Sequence, residues 1–142
     1  MPVHERRMKP AAMWAYRRLR GRLDRYTDVR DEPGLRDQHP TIRELVGMYH
    51  NPEDGPPSFL ISESGLNVPS EPVAHLPYAG FTTVEFDHDK TQARALDLVS
   101  RDGTRTRLGV AGGDGRFRDS YMIGTFMNRL IVGLGNGSGK RD

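Results

Sequence analysis

The sequence predicts a mixed α+β chain, with a β-rich second half closed by a C-terminal helix and helices at the N-terminal end. Three observations predict it. From residue 58 onward, short runs of strand-forming residues alternate with turn residues. Asp102-Gly103 stands between two such runs, a strong hairpin signal. Residues 121–134 then carry a wide apolar stripe at helical spacing.

The first helix is expected over residues 10–26. Ala12, Met13, Tyr16, Leu19 and Leu23 recur at helical spacing, and Pro10 suits a first turn because its missing N–H would be unpaired there anyway. Arg17, Arg18, Arg20, Arg22 and Arg25 surround that stripe, which makes the helix amphipathic and cationic. Residues 27–40 have no sustained period and contain Pro33-Gly34, so they read as a linker. Thr41 followed by Glu44 has the spacing of a capping box, and Ile42, Leu45, Val46 and Tyr49 then form one face of a second short helix. That helix must end before Asn51-Pro52. A boundary is expected over residues 51–57, which hold Pro52, Gly55, Pro56 and Pro57.

Beyond the boundary the period changes to two. Residues 58–62 and 66–68 form a tight hairpin about Glu63-Ser64-Gly65, and 73–76 is a further short strand. Residues 81–86 and 93–99 are strands on either side of a charged turn at 87–90, and 104–110 completes the Asp-Gly hairpin. Residues 111–118 are a loop. Asp119 or Ser120 is expected to cap the last helix, whose stripe is Met122, Ile123, Phe126, Met127, Leu130, Ile131 and Leu134. Residues 135–142 lack apolar side chains apart from glycine and are expected to be a disordered tail.

Composition narrows the function classes. With 142 residues the chain is about one domain long. It has no cysteine, which excludes disulfides, thiolate catalysis and cysteine-ligated zinc. No apolar run approaches a membrane span, and the apolar stretch after Arg6, Arg7 and Lys9 is broken by Arg17 and Arg18, so no secretory signal is read there. A cytoplasmic location is the expectation. Mean hydropathy is low at −0.68, which places part of the chain outside the core. The net charge of +2 is split into +6 over residues 1–30 and −4 over the rest. Such a basic arm could hold nucleic acid or an anionic membrane, or it could pack against its own acidic body.

Candidate chemical motifs fail one by one. Ser62-Glu63-Ser64-Gly65 resembles the end of a nucleophile elbow, but the Gly required two residues before the Ser is Ser62. Gly112-Gly113-Asp114-Gly115 has the look of a calcium-binding nonapeptide, but Phe117 stands where an acidic ligand belongs and no tandem copy follows. Asp87-His88-Asp89 offers few metal ligands, and the other histidines, at 4, 39, 50 and 75, show no ligand spacing. The reading is therefore non-enzymatic, with no catalytic, cofactor-binding or metal residue assigned and no cofactor. The candidate polyanion-binding residues are Arg17, Arg18, Arg20, Arg22 and Arg25.

The segments FLISESGLNV, LPYAGFTTVEF and ALDLVSRDGTRTRLGVAGGDGRFRDSYMIGTFMNRLI together resemble the bacterial PH-like domains of uncharacterised proteins, over residues 57–134. The resemblance rests on the Gly-containing first hairpin, the Pro77-Tyr78 pair entering a strand, the Asp-Gly hairpin, and the Asp-capped helix with Phe126 to Arg129. It implies an antiparallel sheet or partial barrel plugged by the terminal helix, after a basic helical extension at 1–50. A full barrel of that kind has seven strands, whereas five or six are counted here. The missing edge would be covered by residues 1–50 or by a second copy. The fold hosts lipid, peptide and protein binding alike. Glu63 in the first hairpin argues against lipid phosphate. The expected partner is a protein or the chain itself as a homo-oligomer. The alternative is nucleic acid or anionic membrane held by the arm.

Overall fold

The structure is a computed structural model that describes residues 9–69, 74–86, 95–112 and 119–139, the last six by their backbone alone. It is a mixed α+β fold of two antiparallel sheets and a C-terminal helix. The first sheet is a five-stranded meander in the order β1 (Tyr26–Asp28), β2 (Leu45–Tyr49), β3 (Phe59–Ser62), β4 (Gly65–Val68) and β5 (Ala74–Pro77). A 3-10 turn at Tyr78–Gly80 leads into the second, three-stranded meander: β6 (Phe81–Phe86), β7 (Ala95–Ser100) and β8 (Arg105–Gly109). The helices are α1 (Pro10–Arg18), α2 (Gly34–Gln38) and α3 (Asp119–Gly139).

The N-terminal third departs most from the sequence expectation. The helix expected over 10–26 stops at Arg18, because Gly21 takes a left-handed φ of 77° and turns the chain. The buried face is not the predicted stripe: α1 buries Ala11 and Ala15, whereas Ala12 and Met13 are half-buried and Tyr16 is exposed; of the stripe only Leu19 and Leu23, both beyond the helix, are buried. The expected linker 27–40 contributes most of β1 and the five-residue α2. The helix expected from the Thr41–Glu44 capping box is strand β2. Glu44 sits at φ 55°, which no right-handed helix allows. Residues 45–49 form a strand buried on both faces, and such a strand reads as an apolar run that helical spacing imitates. Gly47 is part of the reason: the Tyr26 ring lies against it across the ladder, where a Cβ would collide.

The second half follows the pattern more closely. The hairpin of β3 and β4 pairs Ile61 with Leu66, and β5 adds Leu76 opposite Leu66. In the Asp-Gly hairpin, the Ser100 N–H donates to the Thr104 carbonyl at 2.8 Å, and Gly103 takes φ 89°. The charged turn expected at 87–90 lies outside the described residues, as does most of the 111–118 loop. Asp119, expected as a cap, is the first residue of α3, and its carboxylate accepts from the Tyr49 hydroxyl at 2.6 Å. The expected tail from 135 is helical in its backbone to Gly139.

One core lies between the sheets. Tyr49, Phe59, Ile61 and Leu66 face it from the first sheet, Val84, Leu96, Leu98 and Leu108 from the second, and Ile123, Phe126, Met127 and Leu130 from α3. A smaller cluster, Val29, Leu35, Leu45 and Leu60, with Ile42 and Met48 packed against it, lies under the β1–β2 connection. The sheets do not close into a barrel. Asn51 links them. Its Nδ2 donates to the carbonyls of Pro57 (2.8 Å) and Gly109 (2.9 Å), and its Oδ1 accepts from the Ala111 N–H (2.7 Å). The Pro-rich stretch 51–57 is thus the β2–β3 connection within one sheet.

Candidate functional site

α1 begins without a side-chain cap of its own. Its free N–H groups are taken by a distant carboxylate: Glu63, in the β3–β4 hairpin, accepts from Ala11 at 2.7 Å and Ala12 at 3.1 Å. Lys9 pairs with Glu44 beside this contact. The acidic hairpin residue therefore has a structural use, which sequence reasoning missed. The available signal was a helix opening on Lys9-Pro10, with no Ser, Thr, Asp or Asn to cap it.

This anchoring lays α1 against α3. Gly133 of α3 faces the indole of Trp14: a Cβ at that position would stand 3.4 Å from the ring, in ordinary contact with it. A hollow opens on each side of that contact. One, of about 450 Å³, is lined mainly by apolar groups, Pro10, Trp14, Tyr78 and Leu130, with Lys9 and Glu63 at its edge. The other, of about 520 Å³, lies between Trp14, Phe86 and Val132, with Asn128 and Arg129 in its wall. Both share Trp14 and Gly133, so they form one groove along the outer flank of α3. Val132 is 45% exposed there, one of two large apolar side chains left open among the described residues. The Asn128 Oδ1 is buried with no hydrogen-bond partner among the described residues.

The candidate arginines do not form one face. Arg17 and Arg18 end α1, whereas Arg20, Arg22 and Arg25 lie in the turns after it. Arg20 holds Asp31 through two hydrogen bonds of 2.7 Å and lies 4.8 Å from the Tyr16 ring. That bond holds the Asp31 carboxyl below its ordinary range. Arg25 is half-buried and reaches the His50 carbonyl at 3.4 Å. Arg17 and Arg22 are exposed, and Arg18 is half-buried.

The remaining polar groups are structural in geometry. Burial, and then the bond to Asp119, push the Tyr49 phenol far up, so it stays a neutral donor. Ser62, which stands where the elbow's glycine would be, is buried, and its hydroxyl donates to the Gly65 carbonyl at 2.9 Å, while Ser64 is exposed at the hairpin. Asp87-His88-Asp89 lies outside the described residues. Among those described, no three His, Asp or Glu side chains converge as a metal site, and no helix is long and apolar enough to cross a membrane. No known protein family matches the chain, and neither the curated proteins nor the solved structures compared with it show a similar one.

Proposed function

We propose that the chain is a non-enzymatic interaction module of PH-like architecture that receives an apolar segment of a partner protein in the groove flanking Trp14. The architecture is supported by the order of elements, two successive antiparallel meanders followed by a helix that packs on the second. The carrying observation for function is the groove, with two hollows meeting at one half-buried aromatic contact and no catalytic constellation beside them among the described residues. Trp14 is the single tryptophan, so its emission reports the groove directly. Peptides selected from a random display library on the intact chain should be rich in aliphatic or aromatic residues and should shift that emission. Gly133→Leu, which fills the junction of the hollows, should abolish their binding. Selected peptides that bind Gly133→Leu as well and leave the emission unchanged would place the interaction elsewhere.

Much of the apolar surface of the two predicted N-terminal helices is spent inside the chain, Leu19 and Leu23 on one and Leu45, Val46 and Tyr49 on the other, while Tyr16 stays exposed. We propose the same groove as the face for homo-oligomerisation. Sedimentation of Gly133→Leu beside the parent tests it. A second reading, polyanion binding, keeps support from the exposed Arg17 and Arg22 beside half-buried Arg18. Mixed-sequence DNA and anionic vesicles at low and physiological salt test it, with Arg17, Arg18 and Arg22 all changed to Gln. Contacts of this kind weaken steeply with salt through counterion release.

A further inference from the structure

The outer face of the first sheet changes character along its width. Over β2 and β3 it is apolar and covered by the β1–β2 connection through Leu45, Leu60, Val29 and Leu35. Beyond that cover it turns polar: Ser62, Asn67 and His75 stand at the ends or middles of β3, β4 and β5. A hollow of about 240 Å³ lies at the border, with Thr41 and Arg43 on the connection side and Ser64 on the hairpin side. Two of its polar groups are buried, Ser62 at 1% and Asn67 at 8% exposure, so it has a polar floor. Asn67 and His75 face each other across β4 and β5, and the Nδ1 of His75 donates to the Asn67 Oδ1 at 3.1 Å. That bond fixes the imidazole and leaves Nε2 as its other polar atom.

The strained residue belongs to the same place. Glu44 at φ 55° is the one non-glycine in the left-handed region among the described residues. It separates two neighbouring side chains: Arg43 lines this hollow, while Glu44 lines the opposite side with Lys9 and pairs with it. Among the described residues the hollow has no acidic lining residue, and Arg43 forms no ion pair. Strain of this sort gathers at active sites and ligand clamps.

We propose that this hollow is an oxyanion site that takes a phosphate group, free or carried as a monoester. One guanidinium, two exposed hydroxyls and a buried carboxamide come from three chain segments, with the His75 imidazole beside them. That spread of donors suits a tetrahedral group with several acceptor oxygens better than a planar carboxylate. The site lies on a different face of the fold from the Trp14 groove, so the proposal stands apart from the peptide-binding reading.

Amide NMR shifts of the intact chain test it, titrated separately with inorganic phosphate, O-phosphoserine and acetate. Phosphate should move the amides of Arg43, Ser64, Asn67 and His75, and acetate should leave them in place. A parallel response to phosphoserine extends the site to esters, and a response to phosphate alone assigns it to the free ion. Arg43→Gln should weaken binding by about tenfold or more, as loss of a charge-assisted contact does. Arg101→Gln, which removes the same charge from the far hairpin, should titrate like the parent. The proposal fails if neither phosphate compound moves these amides, if acetate moves them equally, or if Arg43→Gln binds as well as the parent.

Discussion

The five-stranded sheet buries side chains on both of its faces, whereas the three-stranded sheet keeps one face in water. On the first, Phe59 and Ile61 of β3 enter the main core while Leu60 between them enters the smaller cluster under the β1–β2 connection. On the second, Val84, Leu96, Leu98 and Leu108 point inward, and Glu85, Asp97, Arg105 and Arg107 make an ionic ladder outside. Two sheets with the same meander topology thus differ in what protects the outer face: a folded-back segment of chain in one, paired charges in the other. Burial of apolar area is worth far more than exposed ion pairing. Equivalent damage to the two outer faces should therefore have unequal consequences.

The group common to both sheets sets the upper end of the scale. Phe126 is fully buried in α3, within the core that both sheets share. Phe126→Ala should cost about 3–5 kcal/mol in urea unfolding. Hydrogen exchange should then accelerate in both sheets together. Acceleration in one sheet alone would show that the two halves unfold separately and that the core joins them less than its contacts suggest.

Next in size comes the outer face of the first sheet. Leu60 is 3% exposed and belongs to the smaller cluster. Leu60→Ala should cost about 2–4 kcal/mol, and exchange should rise first in β2 and β3. The five-residue α2 should loosen with it, because Leu35 loses its floor. A melting curve matching the parent would mean that the β1–β2 connection merely rests on the sheet.

A smaller effect follows pH. His50 leaves β2 with its imidazole Nε2 2.9 Å from the Thr27 hydroxyl. Burial and then the nearby Arg25 charge lower its pKa below 6.5. The unfolded chain therefore takes up the proton more readily, and stability falls as pH drops through and below 6.5. Replacing His50 with Gln should flatten that part of the stability profile. An unchanged profile would assign the acid sensitivity to another group.

How much of this was legible depends on whether a segment's pattern is local. The Asp-Gly hairpin and α3 were readable because Gly103 and the Ile123–Phe126–Ile131 stripe carry their own geometry. Residues 41–49 misled because the capping-box spacing is a local signal, while the strand is imposed by neighbours on both faces. The groove was out of reach for a related reason. Trp14 falls inside the first predicted helix, but its meeting with Gly133 depends on Glu63 anchoring Ala11 of α1 from 52 residues away. Arginine side chains were counted correctly as a basic arm, yet Gly21 scattered them, and the partners of Arg20 and Arg25 lie in later turns.

The smallest effect belongs to the outer ladder of the second sheet. Glu85 on β6 pairs with Arg105 on β8, and Asp97 of β7 stands 3.7 Å from Arg105 and 3.2 Å from Arg107. Cross-strand charges of opposite sign favour this register, but water and salt screen them. The bond from Arg105 holds the Glu85 carboxyl below 4.5. Its contribution is present above that pH and is lost as pH falls below it, a window separate from that of His50. Glu85→Gln should leave the melting temperature at neutral pH and moderate salt nearly unchanged, and should remove part of the acid sensitivity in the carboxylate range. Raising the salt should shrink even that difference. If Glu85→Gln proved as damaging as Leu60→Ala, the exposed ladder would be holding the sheet as firmly as the buried cluster does, and the contrast between the two outer faces would collapse.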